Sequence, residues 1–107
     1  MDIAALTEKA MALRNRFGEV ARENGRREWS REEVMQGFVV DVGDLMKLAM
    51  AKNGIRDVSD VDQKLAHELA DCLWSVLVLA KLYDVDLEQE FIAMLKSVTA
   101  KLEASRS

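Results

Sequence analysis

The chain has 107 residues, half of them hydrophobic, with no proline, five glycines, one cysteine and a formal net charge of −4. This is one domain's length, with enough apolar material for a modest core, and the scarcity of turn residues favours helices over short strands. The mildly acidic, interspersed charge argues against an electrostatic binder of DNA or RNA and against a polybasic membrane-surface protein, and the lone Cys72 excludes an internal disulfide.

The N-terminal residues lack the basic, apolar and small-residue order of a signal peptide. The most apolar run, LADCLWSVLVLAKL, is interrupted by Asp71 and Lys81 and is too short to span a bilayer. A reducing, cytoplasmic location is therefore expected.

Four helices are predicted in a single domain, 1–107. The first covers about 2–23, where Ile3, Leu6, Ala10, Leu13, Phe17 and Val20 form one apolar stripe, and Asn24–Gly25 is a stop signal. The second covers about 31–52. Ser30 and Glu33 have the spacing of a capping box, Trp29 and Val34 that of a hydrophobic staple, and Asn53–Gly54 ends the helix. The third covers about 60–83, with Ser59 or Asp60 as cap. The fourth covers about 87–104, capped by Asp86 with Gln89 in the box position, and its stripe is Leu87, Phe91, Met94 or Leu95, Val98 and Leu102. The tail EASRS is expected to fray. The expected fold is all-α, a four-helix bundle with short connections.

From Leu69 to Leu82 the third helix is apolar on nearly every face except the stripe Lys64, Glu68, Asp71 and Ser75. A helix apolar almost all round has to be buried almost all round. A homo-oligomer with this helix near the subunit interface is the expectation that follows.

The second helix contains VVDVGDL, in which Asp41 and Asp44 stand three apart, and the third contains HELAD, in which Glu68 and Asp71 do the same. Residues three apart share a helix face. A short loop makes the two helices antiparallel neighbours, and Asp41 with Asp71, like Asp44 with Glu68, is centred on residue 56 in that loop. Each acid should face its counterpart roughly 18–23 Å from the turn. Asp41 belongs to the inward stripe Val34, Phe38, Asp41, Leu45, Leu48. Asp44 lies beside it in the row Gly37, Val40, Asp44, Lys47, Ala51, whose small members would leave room next to the acids. Four carboxylates meeting between helix axes about 8–10 Å apart need compensation, and hard divalent cations supply it. The alternative is that both acid pairs are solvated stripes.

DVGD (Asp41, Gly43, Asp44) followed on the next helix by ELAD (Glu68, Asp71), with 23 residues between Asp44 and Glu68, resembles the MazG-like all-α nucleotide pyrophosphohydrolases. The similarity runs from Trp29 to about Phe91. It implies an acid anhydride hydrolase that binds Mg²⁺, or Mn²⁺ in its place, and splits a ribo- or deoxynucleoside triphosphate into monophosphate and pyrophosphate. It also implies assembly as a homodimer or homotetramer and a house-cleaning role toward non-standard nucleotides. Asp41, Asp44, Glu68 and Asp71 are then the metal ligands, with Asp41 or Glu68 doubling as base. Where the family's first motif commonly reads E-E-x-x-E, this chain has Val40, Asp41 and Asp44. Asp is one methylene shorter and would draw a metal closer to the second helix. That change motivates the rival readings of a non-catalytic nucleotide–metal binding module and of a helical interaction protein.

Lys47, Lys64 and Lys81 lie on the helices that carry the acids, either as ordinary solvated lysines or as cations that meet phosphate, with Lys47, one turn from Asp44, the best placed. Trp29 occupies a region that contacts the base in relatives, and Trp74, one turn beyond Asp71, either borders a base pocket or packs in the core. With His67 the only histidine, the paired E-x-x-H motifs of a ferritin-like di-iron site are missing. Cys72 reads as a core thiol.

Overall fold

The computed structural model describes residues 1–54 and 58–106, and residue 56, about which the acids are centred in sequence, lies outside them. Among the described residues there are four helices and no strand: α1 (Ile3–Glu23), α2 (Arg31–Lys52), α3 (Val61–Leu82) and α4 (Leu87–Ala104). Three of the four starts follow from side-chain capping. Asp2 accepts from the Ala5 N–H at 2.8 Å, and Asp86 accepts from that of Gln89 at 3.1 Å. Ser30 and Glu33 form the reciprocal box. The start of α3 differs from expectation. Asp60 precedes it with φ of 55° and its side chain makes no capping bond, because in the left-handed region the carboxylate no longer lies over the first N–H groups. The first two helices end where Asn-Gly predicts, Gly25 and Gly54 taking φ of 71° and 79°. The tail expected to fray is helical through Ala104.

α2 and α3 share the largest interface in the molecule, and α1 packs on α3. Lys52 pairs with Asp62 at the turn end, and Asp44 and Asp41 meet Glu68 further along, so the two helices run antiparallel. Ala10, Val34, Leu77, Val78 and Leu79 form the buried cluster, with Ile3, Leu6, Met11, Phe38, Trp74, Leu82 and Leu87 packed around it. Each fully buried aliphatic side chain contributes about 1.5–3 kcal/mol.

The C-terminal half of α3 is thus apolar on nearly every face because it is the central helix of the chain, between α1 and α2. Its breadth of apolar surface is spent largely within one chain, while Leu69 and Leu73 remain about half exposed. α4 has no buried residue and touches only α1 to any extent. On α1 the buried positions are Ala10 and Gly18, and Leu13, Phe17 and Val20, the second half of the expected stripe, are exposed. No helix among the described residues is long and apolar enough to cross a membrane.

Candidate functional site

The inward stripe of α2 runs as its period predicts: Val34 and Leu48 are buried, and Phe38, Asp41 and Leu45 are half-buried between them. Asp41 therefore sits on the face that packs on α3, and Asp44 follows one turn on. Glu68 of α3 comes up against both. One carboxylate oxygen from each of Asp41, Asp44 and Glu68 lies within 4.8 Å of the others. Among the described residues none of the three is in an ion pair.

Like charges this close resist ionisation. The Asp41 carboxyl is held above its ordinary range, first by burial and then by the charges of Asp71 and Asp44, with hydrogen bonding to Glu68 pulling the other way. Glu68 is raised for the same reasons, burial first, then Asp41, Asp71 and Asp44. The same field reaches Cys72, whose thiol is raised by burial and by Asp41, Glu68 and Asp71. Asp71 stands outside the trio. Its carboxylate lies 3.3 Å from His67 Nε2, one turn back on α3.

Hard oxygen donors that converge without a protein cation are a donor set suited to Mg²⁺ or Mn²⁺. The residues present therefore fit a divalent cation, held by Asp41, Asp44 and Glu68, with Asp71 beside them.

A cavity lies on each side of the acids along the helix axes. Toward the turn, an open cavity of about 590 Å³ is lined by Asp44, Lys47, Leu48, Val58, Gln63, Lys64, His67 and Glu68. It joins both expected lysines to two of the acids. Toward the start of α2, a mainly apolar cavity of about 340 Å³ is lined by Arg14, Phe17, Gly18, Ala21, Arg26, Arg27, Glu28, Trp29, Val34 and Trp74. It brings Trp29 and Trp74 together. Phe17 meets Trp74 edge-to-face at 5.9 Å, and the Trp74 indole N–H donates to the Ala10 carbonyl at 3.1 Å. Lys81, at the far end of α3, borders neither cavity.

Trp29 is fixed from α1. Arg14 donates to the Trp29 carbonyl at 2.7 Å and pairs with Glu28 at 2.9 Å. Gly18 makes room for this clamp, since a Cβ there would fall 2.5 Å from a Glu28 carboxylate oxygen. The Trp29 ring then lies over Gly37, where an added Cβ would approach it to 2.9 Å. The space expected beside the acids at Gly37 is thus filled by Trp29. Sequence reasoning missed Arg14, Glu28 and Phe17. The available signal was a charged residue, Arg14, four from Ala10 and four from Gly18, on what became the inner face of α1.

Compared with protein-family models, with curated proteins and with solved structures, the chain has no match.

Proposed function

We propose that this protein is a Mg²⁺-dependent nucleotide pyrophosphohydrolase, acting on a ribo- or deoxynucleoside triphosphate. The observation that carries the reading is the order of parts along α2 and α3. An aromatic cavity, a trio of unpaired carboxylates and a lysine-lined cavity succeed one another between the level of Gly37 and Trp74 and that of Lys47 and Lys64. These levels are ten residues apart on each helix, or ~15 Å. That order matches the chemistry of a nucleotide, with a flat base, a phosphate needing charge neutralisation, and a polyphosphate tail.

A bound Mg²⁺ would neutralise triphosphate charge and favour deprotonation of the attacking water. The chain's own residues do the rest. Asp41, Asp44 and Glu68 supply the donor oxygens, and the charge of Asp71 reinforces them. Asp41 or Glu68 takes the proton from the water as its oxygen bonds to the α-phosphorus. The bond from the α-phosphorus to the bridging oxygen breaks, and pyrophosphate leaves toward Lys47 and Lys64, whose ammonium groups offset its charge. Trp29 and Trp74 offer ring faces to the base. A house-cleaning role and a cytoplasmic location belong to the same reading.

The test is pyrophosphate release from a panel of ribo- and deoxynucleoside triphosphates, with Mg²⁺ and with chelator, in ¹⁸O-water. The expected result is Mg²⁺-dependent release with the label in the monophosphate. Absence of release from every nucleotide, with the protein folded, would overturn it.

A further inference from the structure

The aromatic cavity at the start of α2 offers more than ring faces. Its polar side chains, apart from the two indoles, are Arg14, Arg26, Arg27 and Glu28. The acceptors around them are already engaged. The Glu28 carboxylate lies between Arg14 at 2.9 Å and Arg22 at 4.0 Å. The Trp29 carbonyl accepts from Arg14 at 2.7 Å, the Glu28 carbonyl from Arg27 at 3.3 Å, and the Ala21 carbonyl from the Arg26 backbone N–H at 2.8 Å. Acceptors are short enough here that Arg14 Nε is buried without one.

Donors are left over. Arg27 is held by Glu33 and by the Glu28 carbonyl. The Arg26 guanidinium is exposed and has no ion-pair partner among the described residues. An aromatic cavity with surplus donors suits a flat ligand that brings acceptors of its own.

The bases differ in that respect. A 6-oxopurine, guanine or hypoxanthine, sets O6 and N7 side by side, two acceptors that match the guanidinium fork. Adenine and cytosine present an amino group, a donor facing a donor, and uracil has no ring acceptor beside its O4. α2 begins at Arg31, ten residues or ~15 Å before Asp41, and Arg26 precedes it. A base whose sugar and phosphates extend toward Asp41 turns its opposite edge to the connection that carries Arg26.

We propose that this cavity selects 6-oxopurine nucleotides, with Arg26 the specificity-determining residue that donates to O6 and N7 while Phe17, Trp29 and Trp74 hold the ring. The inference rests on the placement of the base in this cavity under the proposed function, and not on hydrolysis itself.

The chain's two tryptophans, Trp29 and Trp74, both line the cavity, so intrinsic fluorescence reports its occupancy. The probes are the 5′-monophosphates of guanosine, inosine and adenosine, which hold no anhydride to split. The guanosine and inosine compounds are expected to bind at least tenfold more tightly than the adenosine compound. Arg26→Ala should weaken those two at least tenfold and the adenosine compound less than twofold. Its side chain is exposed and unpaired, so the variant should keep the wild-type melting temperature. Equal affinity for all three, inosine grouping with adenosine, an equal loss for all three in Arg26→Ala (the sign of a phosphate contact), or no fluorescence response to any of them would each overturn the proposal. Turnover separates the two readings. Equal pyrophosphate release from the adenosine and inosine triphosphates would keep the hydrolase and sink the selectivity, and selective binding with no release from any triphosphate would do the reverse.

Discussion

α3 and α4 are both long and apolar, and the fold treats them oppositely. α3 has four buried positions, including Val78 at 0% exposure, and packs on two neighbours. α4 has none. Apolar content tells that a helix will be covered, not by what. α3 is covered by its own chain and can therefore hold a cluster of acids at fixed geometry against α2. α4 takes no part in holding those acids.

The largest effect should fall on the α2–α3 side of the contrast. Glu68→Gln and Asp41→Asn are each expected to lower kcat/KM at least 100-fold, about 3 kcal/mol of transition-state stabilisation. Neither should lower the melting temperature in chelator, because each removes like-charge repulsion. Thermal scans beside the kinetics separate a lost site from a lost fold.

Leu77→Ala, in the α3 core at 4% exposure, should cost about 2–5 kcal/mol in denaturant titration at every protein concentration. Leu95→Ala on α4, at 47% exposure, should cost about 0.5 kcal/mol or less by the same titration. An equal cost for both would break the comparison. Ser30→Ala removes one half of the α2 capping box and should cost about 1 kcal/mol by the same titration.

The smallest effect is on pH dependence. Asp41 and Glu68 are raised in the folded protein, so the fold binds more protons than the unfolded chain through their titration range. In chelator, stability should therefore rise as pH falls through that range, and added Mg²⁺ should flatten or reverse the trend. Glu33 acts in the other direction. Hydrogen bonds from Arg27 and the Ser30 backbone lower its carboxyl from 4.5 to about 2. Its contribution is full above 4.5 and is lost as pH falls toward 2. Chemical denaturation across acidic pH in the two metal conditions reads both signs.

Helix ends were the most readable part of this sequence, because Ser30 with Glu33, Asp86 with Gln89 and the two Asn-Gly pairs determine them within a few residues of chain. The meeting of Asp41 and Asp44 with Glu68 was readable too, since antiparallel registry follows from spacing about a short loop. What spacing could not give was lateral choice. Asp71 has the level of Asp41 but lies beside His67 one turn back, and that local contact competes with the cluster. Trp29 was expected near the site, but its seat on Gly37 depends on Arg14 and Glu28, contacts between segments that no period encodes. The same limit explains α1, where the buried face passes through Ala10 and Gly18 rather than through Phe17 and Val20. Small residues there let the backbone and the Arg14–Glu28 clamp come close, and the larger apolar side chains are left outside.

The most direct test of the account is a Mn²⁺ titration followed by electron paramagnetic resonance, on wild-type protein and on Glu68→Gln. The account predicts saturable binding to the wild type that weakens at least tenfold in the variant, with both proteins equally folded. Equal binding by the two, or no saturable binding to the wild type, would contradict a metal site built by Asp41, Asp44 and Glu68.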